Sequence, residues 1–253
     1  MKNLLRQRPM DNYKNFIGLG VAGNFALHLE QAGEIDDFKS VFTEDPNGPK
    51  GIFPFYIPER EDFLGTFPIS SNTIVLPREE CNVQPEPEVA LICDLVYSDD
   101  GSIENIIPKF FGAYNDCSLR KDGAAKISHK KNWGNHSKGL ASQLIALDSF
   151  SKGSEIDNYR IASFLKRDGM TFRYGEDVQL TGYSYFHEQL LDWIKKQINT
   201  QKDHGPLEAV FNYIEDAKHP EKAIISIGAT RYTYFGETNF LQEGDEVIVV
   251  VYD

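Results

Sequence analysis

Apolar positions along the chain fall in short runs rather than one repeating period, and the clearest runs have the length of strands. Residues 89–96 (VALICDLV) and 110–115 (FFGAYN) are rich in apolar and aromatic positions and predict two strands. Residues 15–19, 160–165, 223–227 and 247–252 read the same way, and Asp168-Gly169 predicts a hairpin turn. Helical spacing appears late in the chain. Over 185–201, Phe186, Leu190, Ile194 and Ile198 recur every fourth position and so share one face. A second amphipathic helix is predicted over 206–217, with Pro206 in its first turn. A shorter helix is predicted over 24–32, with Asn24 as N-cap and Gly33 just past its end. Residues 41–85 are rich in proline, glycine and aromatics and predict irregular backbone or short strands. Strands dominate and helices do not alternate with them, so the pattern predicts an α+β fold with a mixed or mainly antiparallel sheet. Without a linker, repeat or low-complexity tract, 1–253 reads as a single domain.

Composition narrows the function. Lys and Arg number 26 against 38 Asp and Glu, a formal charge of −12, which argues against nucleic acid as a partner. Cys81, Cys93 and Cys117 are too few and scattered for a disulfide framework or zinc knuckle, and point to a reducing compartment. The charged N-terminus has no apolar stretch behind it, so no signal peptide is expected. The longest apolar run, 247–252, is far short of a membrane span. The expectation is a cytoplasmic protein without a membrane partner.

Gly18-Leu19-Gly20-Val21-Ala22-Gly23 spells GxGxxG, with Glu44 and Asp45 about 20 residues on, where a dinucleotide site places its ribose-binding acid. The strand–helix alternation of such a domain is missing from 41–85, so the glycines read as allowing close backbone packing beside a site.

A different constellation carries chemistry. In Glu86-Pro87-Glu88, extended backbone directs both carboxylates to one side, where they repel unless a cation lies between them. Asp116 follows another predicted strand and is the candidate third ligand; oxygen-only donors select Mg²⁺, Mn²⁺ or Ca²⁺. The plainer alternative is that Glu86 and Glu88 solvate a strand entrance. His28 lies on the short helix after the glycine-rich turn. Lys131 offers a cation to an anionic substrate, or else joins Lys126, Lys130 and Lys138 in a solvated basic patch. His129 and His136 lack partners at zinc-ligand spacing.

The order of these segments resembles the fumarylacetoacetate hydrolase superfamily from about residue 15 to 252. NFALHLEQAG resembles the family's NYxDHxxEAG, with His28 on its catalytic histidine. PEPEVALI and AYNDCSLR resemble the ExELAVV and GYTxxNDVSAR segments, which puts Glu86, Glu88 and Asp116 on metal ligands and Arg120 on a site arginine. KNWGNHSKG is similar to KxFDTFxPLG, with Lys131 on the family lysine. SIGATRYTYFGETNFLQEGDEVIVVV is similar to TGTPAGVG…FLKPGDVVEVE, with Gly228 at the substrate-binding turn and Thr230 or Ala229 in the place of the family threonine. The resemblance implies a β-rich mixed-sheet roll with a few peripheral helices, a homodimer, and Mg²⁺-dependent chemistry on a small anionic 2-oxo acid.

Two departures bear on the reaction. The family's hydrolases follow the histidine, three residues on, with a glutamate; here Gln31 stands in that place. Gln31 is expected to hydrogen-bond the ring but brings no charge to support water activation. The segment 201–219, within the helical pair at 185–219, reads as an insertion. The implied activity is hydrolysis of a C–C bond in an acylpyruvate or β-diketo acid. Decarboxylation or isomerisation of a 2-oxo acid, or a catalytically diminished metal-binding protein, are the alternatives.

Overall fold

The computed structural model describes residues 13–41, 43, 45–121 and 123–253. The extreme N-terminus and Glu44, named above, lie outside the described residues. Thirteen strands run through the described residues. The first four are β1 (Ile17–Ala22), β2 (Gly51–Tyr56), β3 (Ile69–Ser70) and β4 (Asn82–Gln84). A long hairpin follows, β5 (Pro87–Tyr97) with β6 (Ile103–Asn115), then β7 (Ser118–Arg120), β8 (Lys138–Leu140) and β9 (Ile145–Ala146). The last four are β10 (Arg160–Arg167), β11 (Met170–Gln179), β12 (Lys222–Ser226) and β13 (Glu246–Tyr252). The α-helices are α1 (His28–Gln31), α2 (Ser128–Lys131), α3 (His187–Thr200), α4 (Val210–Asp216) and α5 (Tyr234–Thr238).

One large sheet runs in the order β2-β1-β12-β5-β6-β8-β3, with β9 also on β6. β1–β12 and β3–β8 are parallel and the other pairs antiparallel, giving the mixed sheet of the α+β reading. A second sheet, β11-β10-β13, holds the 160–179 hairpin. Asp168 (φ 52°) and Gly169 (φ 76°) both take positive φ, as its two-residue turn requires.

Because side chains alternate across a strand, the large sheet separates two cores. Val89, Leu91 and Cys93 join Leu19 and Ile225 in one, which the α3 stripe Leu190, Ile194 and Ile198 covers. Ala90 and Ile92 face the other way, among Phe53, Phe55, Tyr114 and Leu140. Glu86 and Glu88 have the parity of this second face.

Three local expectations are corrected. The helix predicted over 24–32 is only the four residues of α1, entered through Leu27 at φ 67°. Asn24 is no cap: its amide donates to the carbonyls of Tyr185 (3.0 Å) and Ile227 (2.8 Å) and accepts from Tyr185 N–H, tying two distant segments together. Pro206 does not open α4. Its carbonyl accepts Ile127 N–H, and the helix starts at Val210. Residues 51–56, within the stretch read as irregular or short strand, form β2, buried along its whole length. The GxGxxG glycines serve β2: a Cβ on Gly18 or Gly20 would meet the ring of Phe55 or Phe53 at 2.3 Å. Close packing, not a phosphate cradle, explains them.

Candidate metal centre

Pro85 and Pro87 hold the approach to β5 extended, because the residue before a proline is steered to β backbone. β5 and β6 then pair Pro87 with Asn115 and Glu88 with Tyr114. The Asn115 side chain accepts Glu86 N–H (3.1 Å), and Asp116 N–H donates to the Glu86 carbonyl (2.9 Å). This register brings together the three carboxylates that the sequence set apart. Glu86 and Glu88 are 2% exposed and Asp116 is fully buried, and each offers an oxygen within 4.8 Å of the others.

Buried carboxylates at this spacing need positive charge, and the chain supplies it from four directions. Lys131 Nζ, on α2, lies 2.6 Å from both Glu86 Oε2 and Asp116 Oδ2. Lys138 Nζ, on β8, lies 3.0 Å from Asp116 Oδ1 and donates to the Cys117 carbonyl. Arg120 Nη2 donates to Glu86 Oε1 (2.9 Å) and to the Tyr232 hydroxyl (3.1 Å), while Nη1 reaches Glu34 Oε1 (2.8 Å). Lys130 closes the ring on Glu34 and Asp37. Burial alone would raise the Glu86 carboxyl, but Lys131 and Arg120 hold it well below the usual carboxylate range. Glu88 goes the other way: burial and then Asp116 push its carboxyl well above that range.

The donor set fits a hard divalent cation. Ligation is by oxygen alone, Asp116 is fully buried between two lysines, and among the described residues Glu88 has no ion-pair partner. Among the described residues these three acids are the one group of His, Cys, Asp or Glu side chains arranged for a metal, so His129 and His136 form no zinc site.

Seen as a whole, the chain matches the model of a family of unknown function, DUF5718, over residues 34–253. The chain belongs to DUF5718. The matched part holds all three carboxylates, Arg120 and Lys131, and begins after the helix that carries His28. No curated protein matches this DUF5718 chain in sequence. Among solved structures it is similar to Cg1458 with inhibitor, at 17% identity and a TM-score of 0.57 over 93% of this chain and 72% of that one. A 2-keto-3-deoxy-D-arabinonate dehydratase complexed with magnesium and 2,5-dioxopentanoate is similar at 14% identity and TM-score 0.54, over 98% and 78% of the two chains. A Yersinia pestis CO92 protein described as of the fumarylacetoacetate hydrolase family gives 13% and 0.54, over 93% and 88%. At these identities the likeness is one of fold: the DUF5718 chain has the α+β fold of fumarylacetoacetate hydrolase type.

The remaining sequence-predicted residues take more specific places. His28 is 4% exposed on α1, with Nδ1 3.0 Å from the Thr230 carbonyl. A carbonyl only accepts, so Nδ1 carries the hydrogen and Nε2 keeps its lone pair. Burial, which lowers the ring's pKa, favours that neutral form. Gln31 does not reach the ring. Its amide clasps the backbone of Tyr232, accepting from N–H (2.9 Å) and donating to the carbonyl (3.2 Å). Gly228 N–H donates to Glu88 Oε2 (3.1 Å), and the Thr230 hydroxyl and N–H both bond the Pro87 carbonyl. The predicted substrate turn therefore braces β5 and His28.

Sequence reading missed Lys138, Tyr114, Tyr232 and Glu34. It grouped Lys138 with Lys126, Lys130 and Lys131 as a solvated patch, yet Lys130, Lys131 and Lys138 are 5%, 3% and 0% exposed. Those three line the inner wall of the site, whereas Lys126 pairs with Asp203. A run of lysines flanked by the buried-type residues Ile127, Trp133 and Leu140 was the available signal. Among the described residues no helix is long and apolar enough to cross a membrane.

Proposed function

We propose that this protein is a divalent-cation-dependent enzyme acting on a small anionic 2-oxo acid, with Glu86, Glu88 and Asp116 as ligands and Mg²⁺ as the cation. The observation that carries this is the buried oxygen-only triad, whose Glu88 is left short of positive charge. A cation held there supplies Lewis-acid stabilisation of charge building on the substrate's carbonyl oxygen. Glu34, Asp37, Glu86, Glu88 and Asp116 face Arg120, Lys130, Lys131 and Lys138, so the walls carry one formal negative charge before a cation enters. A divalent ion would turn that balance positive, as an anionic substrate needs. Lys131 and Arg120 would neutralise substrate charge, and His28 Nε2 would take a proton as general base.

The reaction type follows from what supports His28. Hydrolytic C–C cleavage, the activity implied by the family resemblance, asks the imidazole to activate water, which a carboxylate partner assists. Here the partner of Nδ1 is a neutral carbonyl and Gln31 is engaged elsewhere. Enolate chemistry without water, as in decarboxylation or isomerisation, asks less of His28, and this geometry favours it as the second reading. The test is turnover of acetylpyruvate and oxaloacetate by purified protein with Mg²⁺, beside Glu86→Ala and His28→Ala. Loss of turnover in Glu86→Ala is expected; turnover unaffected by that change would remove the metal from the reaction.

A further inference from the structure

Glu86, Glu88 and Asp116 are three corners of a square on the face of the β5–β6 hairpin, and the fourth corner is Tyr114. Backbone pairing sets Glu88 opposite Tyr114 and Pro87 opposite Asn115, and the Asp116 N–H bond to the Glu86 carbonyl continues that register by one step. Positions two apart on a strand share a face, so all four side chains project to the same side. Directly opposite side chains start about 4.5–5.5 Å apart at Cβ. The Tyr114 ring also packs on Phe55, with centroids 5.8 Å apart.

The phenol is 1% exposed, and its Oη has no hydrogen-bond partner. A buried hydroxyl left unpaired is destabilising, and phenylalanine would keep the packing on Phe55 without that cost. An orphaned hydroxyl set against three carboxylates is explained by something that enters the site.

We propose that Tyr114 is a ligand-binding residue of this centre, its hydroxyl donating a hydrogen bond to an anionic oxygen of the bound 2-oxo acid. The inference rests on the metal-centre reading above and adds to it a neutral donor opposite Glu88 in the strand register. A neutral donor in a dry site selects for developed negative charge on oxygen.

Oxalate, a dianion resembling the chelating end of an enolised 2-oxo acid, serves as the probe, titrated by calorimetry into Mg²⁺-saturated wild-type protein and Tyr114→Phe. Removal of a hydrogen bond to a charged oxygen should weaken oxalate binding roughly tenfold or more. Affinity for Mg²⁺ alone should be unchanged, and the variant should be at least as thermally stable as wild type. A near-ultraviolet tyrosine difference signal should accompany oxalate binding in wild type and be lost in the variant. Equal oxalate affinity in the two proteins would overturn the assignment of Tyr114. Failure of Mg²⁺-loaded wild type to bind oxalate would overturn the metal-centre reading itself, and shows in the wild type alone.

Discussion

At the scale of single residues, the site is organised by what each polar atom already holds. Gln31 makes the point: it forms a two-bond clasp with Tyr232, whose ring lies 5.2 Å from His28. Gln31→Glu would set a carboxylate oxygen against the Tyr232 carbonyl, so it should destabilise the protein by about 1–3 kcal/mol and leave acylpyruvate hydrolysis no faster. Denaturation together with a hydrolysis assay checks this; undiminished stability with faster hydrolysis would make Gln31 the partner of His28 after all. Lys138 gives a second case, fully buried against Asp116. Lys138→Met leaves Asp116 with Lys131 alone and should cost about 1.5–3 kcal/mol. Saturating Mg²⁺ should restore stability to the variant by more than it adds to wild type, read as melting temperature with and without the ion. Equal increments would mean the ion does not sit beside Asp116. The carboxylates were legible because strand parity predicts which face Glu86 and Glu88 share. Lys138 was not, because only the β6–β8 pairing brings it to Asp116, and no local pattern records that pairing.

At the scale of elements, the strands with dense apolar runs were readable, and those built from small or mixed residues were not. β5, β10, β12 and β13 lie within a residue or two of their predicted bounds, apart from short extensions. β2 was hidden by Pro54 and by dependence on β1, since its aromatic rings need Gly18 and Gly20 beneath them. Gly20→Ala should therefore destabilise by about 1–3 kcal/mol through overpacking against Phe53, measured by chemical denaturation. No loss would show that β2 yields freely. In the second sheet, Arg167 grips Asp245 with two bonds (2.8 and 2.6 Å), joining the β10–β11 turn to the approach to β13. Burial would raise the Asp245 carboxyl, but its bonds to Arg167 and Gln242 N–H outweigh that and hold it below the usual value. A carboxyl lowered by folding contributes stability above its unfolded pKa and loses it as pH falls through the folded one. Wild type should thus exceed Asp245→Asn in stability at pH 7 by more than in strong acid. A pH-independent difference would contradict the ion pair.

For the molecule as a whole, a formal charge of −12 surrounds a centre whose carboxylates are nearly balanced by lysine and arginine and which the proposed cation would make positive. Long-range forces would therefore oppose the proposed anionic substrate, and attraction would begin only near Lys131, Arg120 and the proposed ion. Raising salt should speed oxalate association in stopped-flow measurements by screening the repulsion, and slower association would reveal a positive approach path. The fold class was readable because strand-length runs and sparse helices leave few packings. The neutralising walls were not, because they gather from α2, β7 and β8 through tertiary contact. Glu86, Glu88 and Asp116 are proposed together to hold one divalent cation. Mn²⁺ titration followed by electron paramagnetic resonance tests it most directly, on wild type beside Glu88→Gln and Asp116→Asn. One tightly bound Mn²⁺ per chain, lost or greatly weakened in both variants, is the predicted result. Absence of binding in wild type, or binding that survives both substitutions, would contradict it.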